Sequence, residues 1–521
     1  MTRVLTVGEA LHGAAIRYRT KKALIFGDRS WTFEELDKRT NQIARAFLAQ
    51  GLKKGQRVGL LLPNGLDMAE AYFGLAKAGL VGVPINLRWS EEEIRYALMD
   101  SQISMIVAEK DLRPALMSVE SLLPVFYTHF NEAGDHNWDD IVPPMDDSPL
   151  AITVAEDDPW VVVYTSGTTG KPKGAVRSHV SNIMIALTLV AELGISSDDT
   201  GLAVLPMFHV NSLWVVTLSV IIGATCVIYP HRGIHPQHIV DEMNQHQVTY
   251  SMFVPALLSF LADAVESGKL DAKTLRVMLT ASAPLDNTLR ERILNGFPQV
   301  RLYDIYGSTE YGACTVIRHH LNGPLGSVGY PLVGQSIRIL NEQHRDVSAG
   351  EIGEVFVKGP TLMSEYFNNP SATQEGFTDD GYLSVGDMGY LTTDGLLYLV
   401  DRKQDMIIVA GENVYPVEVE SVLLRSSDVG QATVFGVSDP RRGERVVALV
   451  VPRSGRTVDV ESLYELAKSS LADYKRPYII EVVDSLPLGP SGKVVRRVAR
   501  DQWNQREGTK APDSSAEPRR E

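Results

Sequence analysis

The residues best suited to chemistry stand close together at Tyr164 to Gly174, YTSGTTGKPKG. These eleven residues hold three glycines, four Ser or Thr hydroxyls and two lysines. Glycine lets backbone N–H groups approach a ligand closely, and consecutive N–H groups in a turn make an anion-binding nest. Hydroxyls donate to phosphate oxygens and lysine adds a point charge. Such a loop suits a polyphosphate. It is not the P-loop pattern G-x-x-x-x-G-K-[ST], because only two residues separate Gly167 from Gly170 and Pro172 follows Lys171. A plain surface loop rarely sets two lysines beside three glycines directly after an apolar run, here Trp160 to Val163.

Other reactive side chains are dispersed. His209, in PMFHVNS, follows a strand-like run ending at Leu205, and a lone histidine beside apolar residues reads as a packed or hydrogen-bonded one. His235, His238 and Asp241 come without a third ligand or a nucleophile motif and read as a solvated helix start. Cys226 sits in an apolar run and Cys314 just past Glu310, neither beside a base.

The elements that must position these residues follow from periodicity. Thr32 to Gln50 is amphipathic with period 3.6, opens on a Thr–Glu capping signal and stops at Gly51. Arg57 to Leu62 and Leu80 to Ile85 read as buried strands around a helix at Met68 to Lys77. The rhythm returns with strands at Leu202 to Leu205, Thr225 to Tyr229, Tyr250 to Val254 and Val277 to Thr280. Helices are expected at His238 to Gln245, Leu257 to Ser267 and Asn287 to Gly296. Alternation of this kind argues for βαβ units. From about Leu332 short strands separated by Gly, Asp and Asn turns read as a small β-rich unit, and after Arg402 a further short α/β pattern begins. The last segment, APDSSAEPRRE, reads as disordered.

Composition narrows the classes. The formal net charge is −14, from 50 basic and 64 acidic residues, which disfavours a nucleic acid as partner. Two cysteines make neither a disulfide framework nor a paired-Cys metal site. The N-terminus lacks the apolar core of a signal peptide. The longest apolar stretch, Leu213 to Tyr229, carries Thr, Ser and Gly and falls short of a membrane span. A cytoplasmic protein with no integral membrane segment is expected. The excess acidity lies wholly in residues 1–402, so binding a small anion there needs local cations, and Lys171, Lys173 and Arg177 stand near the loop.

YTSGTTGKPKG resembles the phosphate-loop signature of the adenylate-forming enzymes, the superfamily of acyl-CoA synthetases, adenylation domains and firefly luciferase. Four further motifs follow in that family's order: YGSTE (Tyr306 to Glu310), YLSVGD (Tyr382 to Asp387), DRKQDMIIVAGENVYPVEVE (Asp401 to Glu420) and PLGPSGK (Pro487 to Lys493). The resemblance spans roughly Thr32 to Arg500. It implies a large N-terminal domain, residues 1–402, of two βαβ-type subdomains plus a β-barrel-like subdomain at about 332–402. A small mobile α/β domain, 403–500, and a tail, 501–521, complete the chain. It implies two steps: a carboxylate attacks the α-phosphate of ATP to give acyl-AMP and pyrophosphate, and a thiol, usually of coenzyme A, then displaces AMP.

The resemblance also assigns residues. Thr165, Ser166, Thr168, Thr169 and Lys173 would hold the β- and γ-phosphates, with Gly167, Gly170, Lys171 and Pro172 completing the ATP-binding loop. Glu310 would bind Mg²⁺, a hard cation that takes carboxylate and phosphate oxygens together. Thr309 would touch the α-phosphate, with Gly307 and Ser308 lining the same nucleotide site, and Tyr306 would stack on adenine. Asp387 would accept hydrogen bonds from the ribose hydroxyls, and Arg402 would reach the ribose or a phosphate. Lys493 would neutralise the carboxylate and α-phosphate during adenylation. Gln404, where Asp or Lys is commoner, would be the pivot of the mobile domain. Ala410, often Gly in the family, and Gly411 would line the pantetheine tunnel. Lys475 and Arg476 would approach ATP or CoA.

The acyl pocket would be lined by His209, Val210, Asn211, Phe253, Ser282, Ile305, Gly307 and Gly312. No Asp stands near Asn211, where amino-acid-activating relatives place a carboxylate for the substrate amine, and a buried amine needs such a partner. The expected acid therefore has an uncharged, apolar tail. A medium or long fatty acid is favoured, and an aryl or alicyclic acid is the alternative. Because only a short tail follows Arg500, CoA is preferred to a carrier protein as acceptor. A nucleotide-binding protein without catalysis and a luciferase-like oxygenase are the remaining readings, and a homodimer is left open.

Overall fold

The computed structural model describes residues 5–116, 123–128, 136–137, 142, 146–165, 172–231, 233–270, 272–283, 285–410, 412–439, 441–488 and 494–509. The chain divides into two compact units. One comprises Met1–Arg338, Phe356–Val385 and Asp394–Leu397, the other Ile339–Val355, Gly386–Thr393 and Tyr398–Glu521.

The first unit contains two sheets with parallel cores. In one, the strands run in the order Glu365–Tyr366, Lys173–Ser178, Pro159–Thr165, Val81–Pro84, Arg57–Leu61, Met105–Glu109, Val125–Thr128, His136–Asn137. The strands from Pro159–Thr165 onward are parallel, and Lys173–Ser178 turns back antiparallel. The other sheet of this unit has Arg301–Ser308, Val277–Ala281, Tyr250–Phe253, Thr200–Ala203, Thr225–Ile228 and Lys22–Phe26 in parallel, and Gly312–Arg318 pairs antiparallel with Arg301–Ser308. A single apolar cluster draws on both sheets, with Leu60, Val107 and Trp160 from one and Leu202, Phe253 and Leu279 from the other.

The sequence patterns account for most elements. The helix Phe33–Ala49 carries a complete Thr32/Glu35 capping box. The apolar run at 213–229 divides into the helix Val210–Ile222 and the strand Thr225–Ile228. A helix apolar all round is a buried one, and Gly223 at φ +81° ends it. Two helices start earlier than their apolar periodicity suggests, at Pro236 and Pro255, because proline suits the first helical position.

In the second unit Glu412–Val414, Ile407–Val409, Gly443–Pro452 and Val429–Asp439 form an antiparallel sheet, with Ile479–Val482 parallel to Gly443–Pro452. Helices Pro416–Leu423 and Val460–Ser470 pack on it around Val419, Val434, Ala448 and Leu463. The strands of the β-rich stretch lie side by side in the order Ser336–Leu340, Gly353–Lys358, Asp387–Leu391, Leu397–Arg402. That row is open rather than closed into a barrel. Among the described residues no helix is long and apolar enough to cross a membrane.

Candidate active site

The glycine-rich segment joins two antiparallel strands, Pro159–Thr165 and Lys173–Ser178, which close on each other at Thr165 and Lys173. Ser166, Gly167, Thr168, Thr169, Gly170 and Lys171 lie outside the described residues. Alternation along Lys173–Ser178 sets Lys173, Ala175 and Arg177 on one face. The short strand Glu365–Tyr366 pairs with it, Tyr366 opposite Ala175, so Tyr366 shares that face.

Glu310 is the focus of this face. It is buried at 8% exposure. Its Oε1 accepts from the Thr165 hydroxyl at 3.3 Å and from the Tyr366 hydroxyl at 3.1 Å. The Tyr366 ring lies 5.1 Å from the Lys173 ammonium, a cation–π contact. The backbone presenting Glu310 is a tight connection between Arg301–Ser308 and Gly312–Arg318. There Ser308 Oγ accepts from the N–H groups of Glu310 and Tyr311 at 3.1 and 3.0 Å, satisfying donors that the hairpin leaves open. Gly312 has φ +74°, and a Cβ at Gly307 would stand 2.1 Å from the Gly312 carbonyl oxygen. Both glycines are therefore required by the turn itself. Behind it, Arg177 is fully buried, donating to the carbonyls of Thr309 and Thr361, each at 2.7 Å. Desolvation pulls its pKa down to about 10, with the Glu310 charge acting against the shift. Half-buried Tyr306 meets wholly buried Tyr311 edge-on at 6.2 Å.

Of the proposed acid-binding residues, Phe253, Ser282 and the segment His209 to Asn211 lie at or beyond the carboxyl ends of parallel strands, where ligands of open α/β sheets bind. His209 and Asn211 begin the helix Val210–Ile222, and the Asn211 amide donates to the Ser282 hydroxyl at 3.1 Å. Ser282 follows the strand Val277–Ala281 with φ +75°. Burial drives the His209 pKa down to about 4, so its ring is neutral, and its Nε2 is buried without a partner among the described residues. Val210 and Ile305 are buried and Phe253 completely so. Register pairs Phe253 with Thr280 and Ile305 with Ala281, so alternation puts Phe253 and Ile305 on opposite faces of the sheet.

In the second unit Asp387 lies 3.2 Å from the Arg402 guanidinium. Gln404 is exposed in a turn in which the N–H groups of Asp405 and Met406 donate to the Arg402 carbonyl at 3.0 and 3.2 Å. Ala410 adopts φ +53°, a conformation an L-residue takes at a cost. Lys475 bonds both Glu418 carboxylate oxygens at 2.8 Å, and Arg476 bonds Asp473 at 2.9 Å. Gly411 and Lys493 lie outside the described residues.

Sequence reasoning missed Tyr366 because nothing local marks a tyrosine in SEYFNN. It also took Arg177 for a charge beside the loop, whereas the side chain passes beneath the Glu310 turn. His235, which caps the helix Pro236–Gln245, and Asp241 are exposed, as a solvated helix start requires. His238 is half-buried, and His231 and His246 flank buried Glu242 at 3.6 and 3.4 Å. Among the described residues no group of three or more His, Cys, Asp or Glu side chains could hold a metal ion.

Residues 11–367 match the family model described as AMP-binding enzyme, and residues 418–493 match AMP-binding enzyme C-terminal domain. The chain is 33% identical over 496 residues to a feruloyl-CoA synthase of an Amycolatopsis species, covering 94% of this chain and 96% of that protein. It is also 33% identical to the fatty acid–[acyl-carrier-protein] ligase ScoC of Streptomyces coeruleorubidus, covering 93% and 94%. Among solved structures it resembles the o-succinylbenzoate CoA synthetase of Bacillus subtilis in complex with an acyl-adenylate intermediate. The TM-score is 0.83 at 30% identity, covering 94% of this chain and 97% of that one. The motif order, the Glu310 turn beside the strands that flank the glycine-rich segment and a family match over more than half of the sequence agree, and the chain belongs to the AMP-binding enzyme family.

Proposed function

We propose that this enzyme is an AMP-forming acid–CoA ligase. A substrate carboxylate oxygen attacks the α-phosphorus of ATP as the bond to pyrophosphate breaks, and the CoA sulfur then attacks the acyl carbon as AMP leaves. The observation that carries the reading is the Lys173–Tyr366–Glu310 array at the base of the glycine-rich loop. It sets a cation for phosphate beside a carboxylate for a metal. The donor set fits Mg²⁺, since one carboxylate flanked by hydroxyls leaves most positions for phosphate oxygens and water. When bound, the ion would neutralise triphosphate charge. Thr165 and Lys173 are assigned to the β- and γ-phosphates with the loop residues between them, Thr309 to the α-phosphate, Tyr306 to adenine, Asp387 to the ribose, Arg402 to the ribose or a phosphate, and Lys493 to the adenylation step.

The acid is assigned an uncharged, largely apolar tail, with Val210 and Ile305 supplying apolar surface. A medium or long fatty acid fits that surface. A second reading, an aryl acid bearing a hydroxyl or ether oxygen, is favoured by the Asn211–Ser282 pair and by His209 Nε2, which has no partner among the described residues. The named relatives span both kinds of acid and both kinds of acceptor. We place the reaction in the cytoplasm, where ATP and CoA are available. Pyrophosphate release measured over carboxylic acids of graded length and ring content tests the reading, with CoA and a holo-carrier protein compared as acceptors. Absence of acid-dependent pyrophosphate exchange with every acid would sink it.

A further inference from the structure

A guanidinium removed from water needs either a compensating charge or a full set of acceptors. Arg177 has neither in its direct contacts. Among the described residues it bonds two neutral carbonyls, and its Nε has no partner. Two carbonyls do not offset the desolvation of a cation. The charge set against it is the Glu310 carboxylate, carried by the residue that follows Thr309, whose carbonyl Arg177 holds. The turn is tied from other directions as well. Met363 N–H donates to the Glu310 carbonyl at 2.7 Å, the Thr361 hydroxyl to the Tyr311 carbonyl at 2.6 Å, and the Gln335 amide to Thr361 Oγ1 at 2.6 Å. Arg177 thus joins three segments: its own strand, the Thr309–Tyr311 turn and the Thr361 backbone. Along that strand the cations Lys173 and Arg177 share a face, with the Tyr366 position between them.

We propose that Arg177 is a positioning residue of the triphosphate site. It fixes the Thr309–Glu310 peptide and balances the Glu310 carboxylate from behind, leaving the front of that carboxylate to a bound cation. Arg177 touches neither substrate nor reacting atoms. The inference rests on the nucleotide-site reading above.

The test is a double-variant cycle melted without nucleotide or added metal: wild type, R177M, E310Q and R177M/E310Q. R177M is expected to melt several degrees below wild type. The double variant is expected to melt more than about 3 °C above the sum of the two single shifts, because neutralising both positions removes the unbalanced charge. Additive shifts overturn the proposal. If R177M does not fold, folding of the double variant supports the proposal and its failure overturns it. In kinetics R177K, which keeps the charge but reaches only one of the two carbonyls, is expected to lose about tenfold in the kcat of acid-dependent pyrophosphate exchange. Thioester formation from supplied acyl-AMP should stay within about threefold of wild type. Equal losses in both half-reactions, with a lowered melting temperature, would mean a structural role and overturn it. Wild-type exchange separates the two readings: its absence sinks the functional reading, while the melting cycle still decides the Arg177–Glu310 coupling.

Discussion

Asn211 donates its side-chain amide to the Ser282 hydroxyl across 3.1 Å, joining the first turn of one helix to the residue just past a parallel strand. The pair places hydrogen-bonding groups among apolar neighbours at the end of the sheet that the acid is proposed to occupy. Asn211→Leu should leave turnover of long-chain fatty acids near wild type and lower kcat/KM for hydroxylated or methoxylated aryl acids by about two- to tenfold, one neutral hydrogen bond. Pyrophosphate release over a matched set of acids measures this. A uniform loss across all acids would show that Asn211 supports the fold and does not select substrate.

Lys493→Ala should cripple acyl-AMP formation, by roughly 10² to 10³ if its contribution matches that of one oxyanion-type donor. Thioester formation from supplied acyl-AMP should stay largely intact. Rapid-quench measurement of the two half-reactions separates them, and equal losses in both would remove Lys493 from its assigned step.

Tyr366→Phe keeps the ring beneath Lys173 and removes one donor from Glu310. The expected cost is about 1 kcal/mol, or roughly fivefold in kcat/KM for ATP, smaller than that of Glu310→Gln, which removes the charge. Steady-state exchange with ATP varied at fixed acid checks the order. A Tyr366→Phe effect as large as that of Glu310→Gln would contradict the hydroxyl's subsidiary role.

His179 is fully buried, stacks on Trp160 and accepts the Val7 N–H at Nδ1 over 3.3 Å. Burial lowers its pKa from the ordinary 6.5 to about 4. Between those values the unfolded chain binds a proton that the folded chain refuses. Stability is therefore full above about pH 6.5 and falls as the pH drops towards 4, by about 3 kcal/mol at most for this residue. His209 adds to the trend in the same direction. Denaturant melts of wild type and His179→Gln across that window should show a shallower acid slope in the variant. Identical slopes would assign the acid sensitivity to other groups.

What the sequence disclosed was whatever is encoded locally. The Thr32–Glu35 cap, the strand leading into the glycine-rich loop and the Glu310 signature are each set within a few residues. Tyr366 reaches Glu310 only because Glu365–Tyr366 adds to the edge of Lys173–Ser178, strands nearly two hundred residues apart in the chain. The role of Arg177 was hidden for a related reason. A lone arginine in GAVRSH reads as surface charge until the Thr309 and Thr361 carbonyls close over it. The boundary between helix and strand in the apolar run at 213–229 is not legible from the sequence, because full burial erases the periodicity that separates the two.

The Arg496 guanidinium reaches Asp405 at 2.8 Å, Glu420 at 3.0 Å and Asp401 at 3.3 Å. Arg496 begins the helix Arg496–Thr509, and the residue before it returns to the Pro487 carbonyl at 2.8 Å. In mechanical terms that side chain is a rivet. The turn bearing Gln404 and the base of the segment between Pro487 and Val495 are fastened to one rigid plate. A force on the turn is therefore passed to Pro487 and Val495 through the Arg496 side chain. Arg496→Ala would unfasten the turn from that segment.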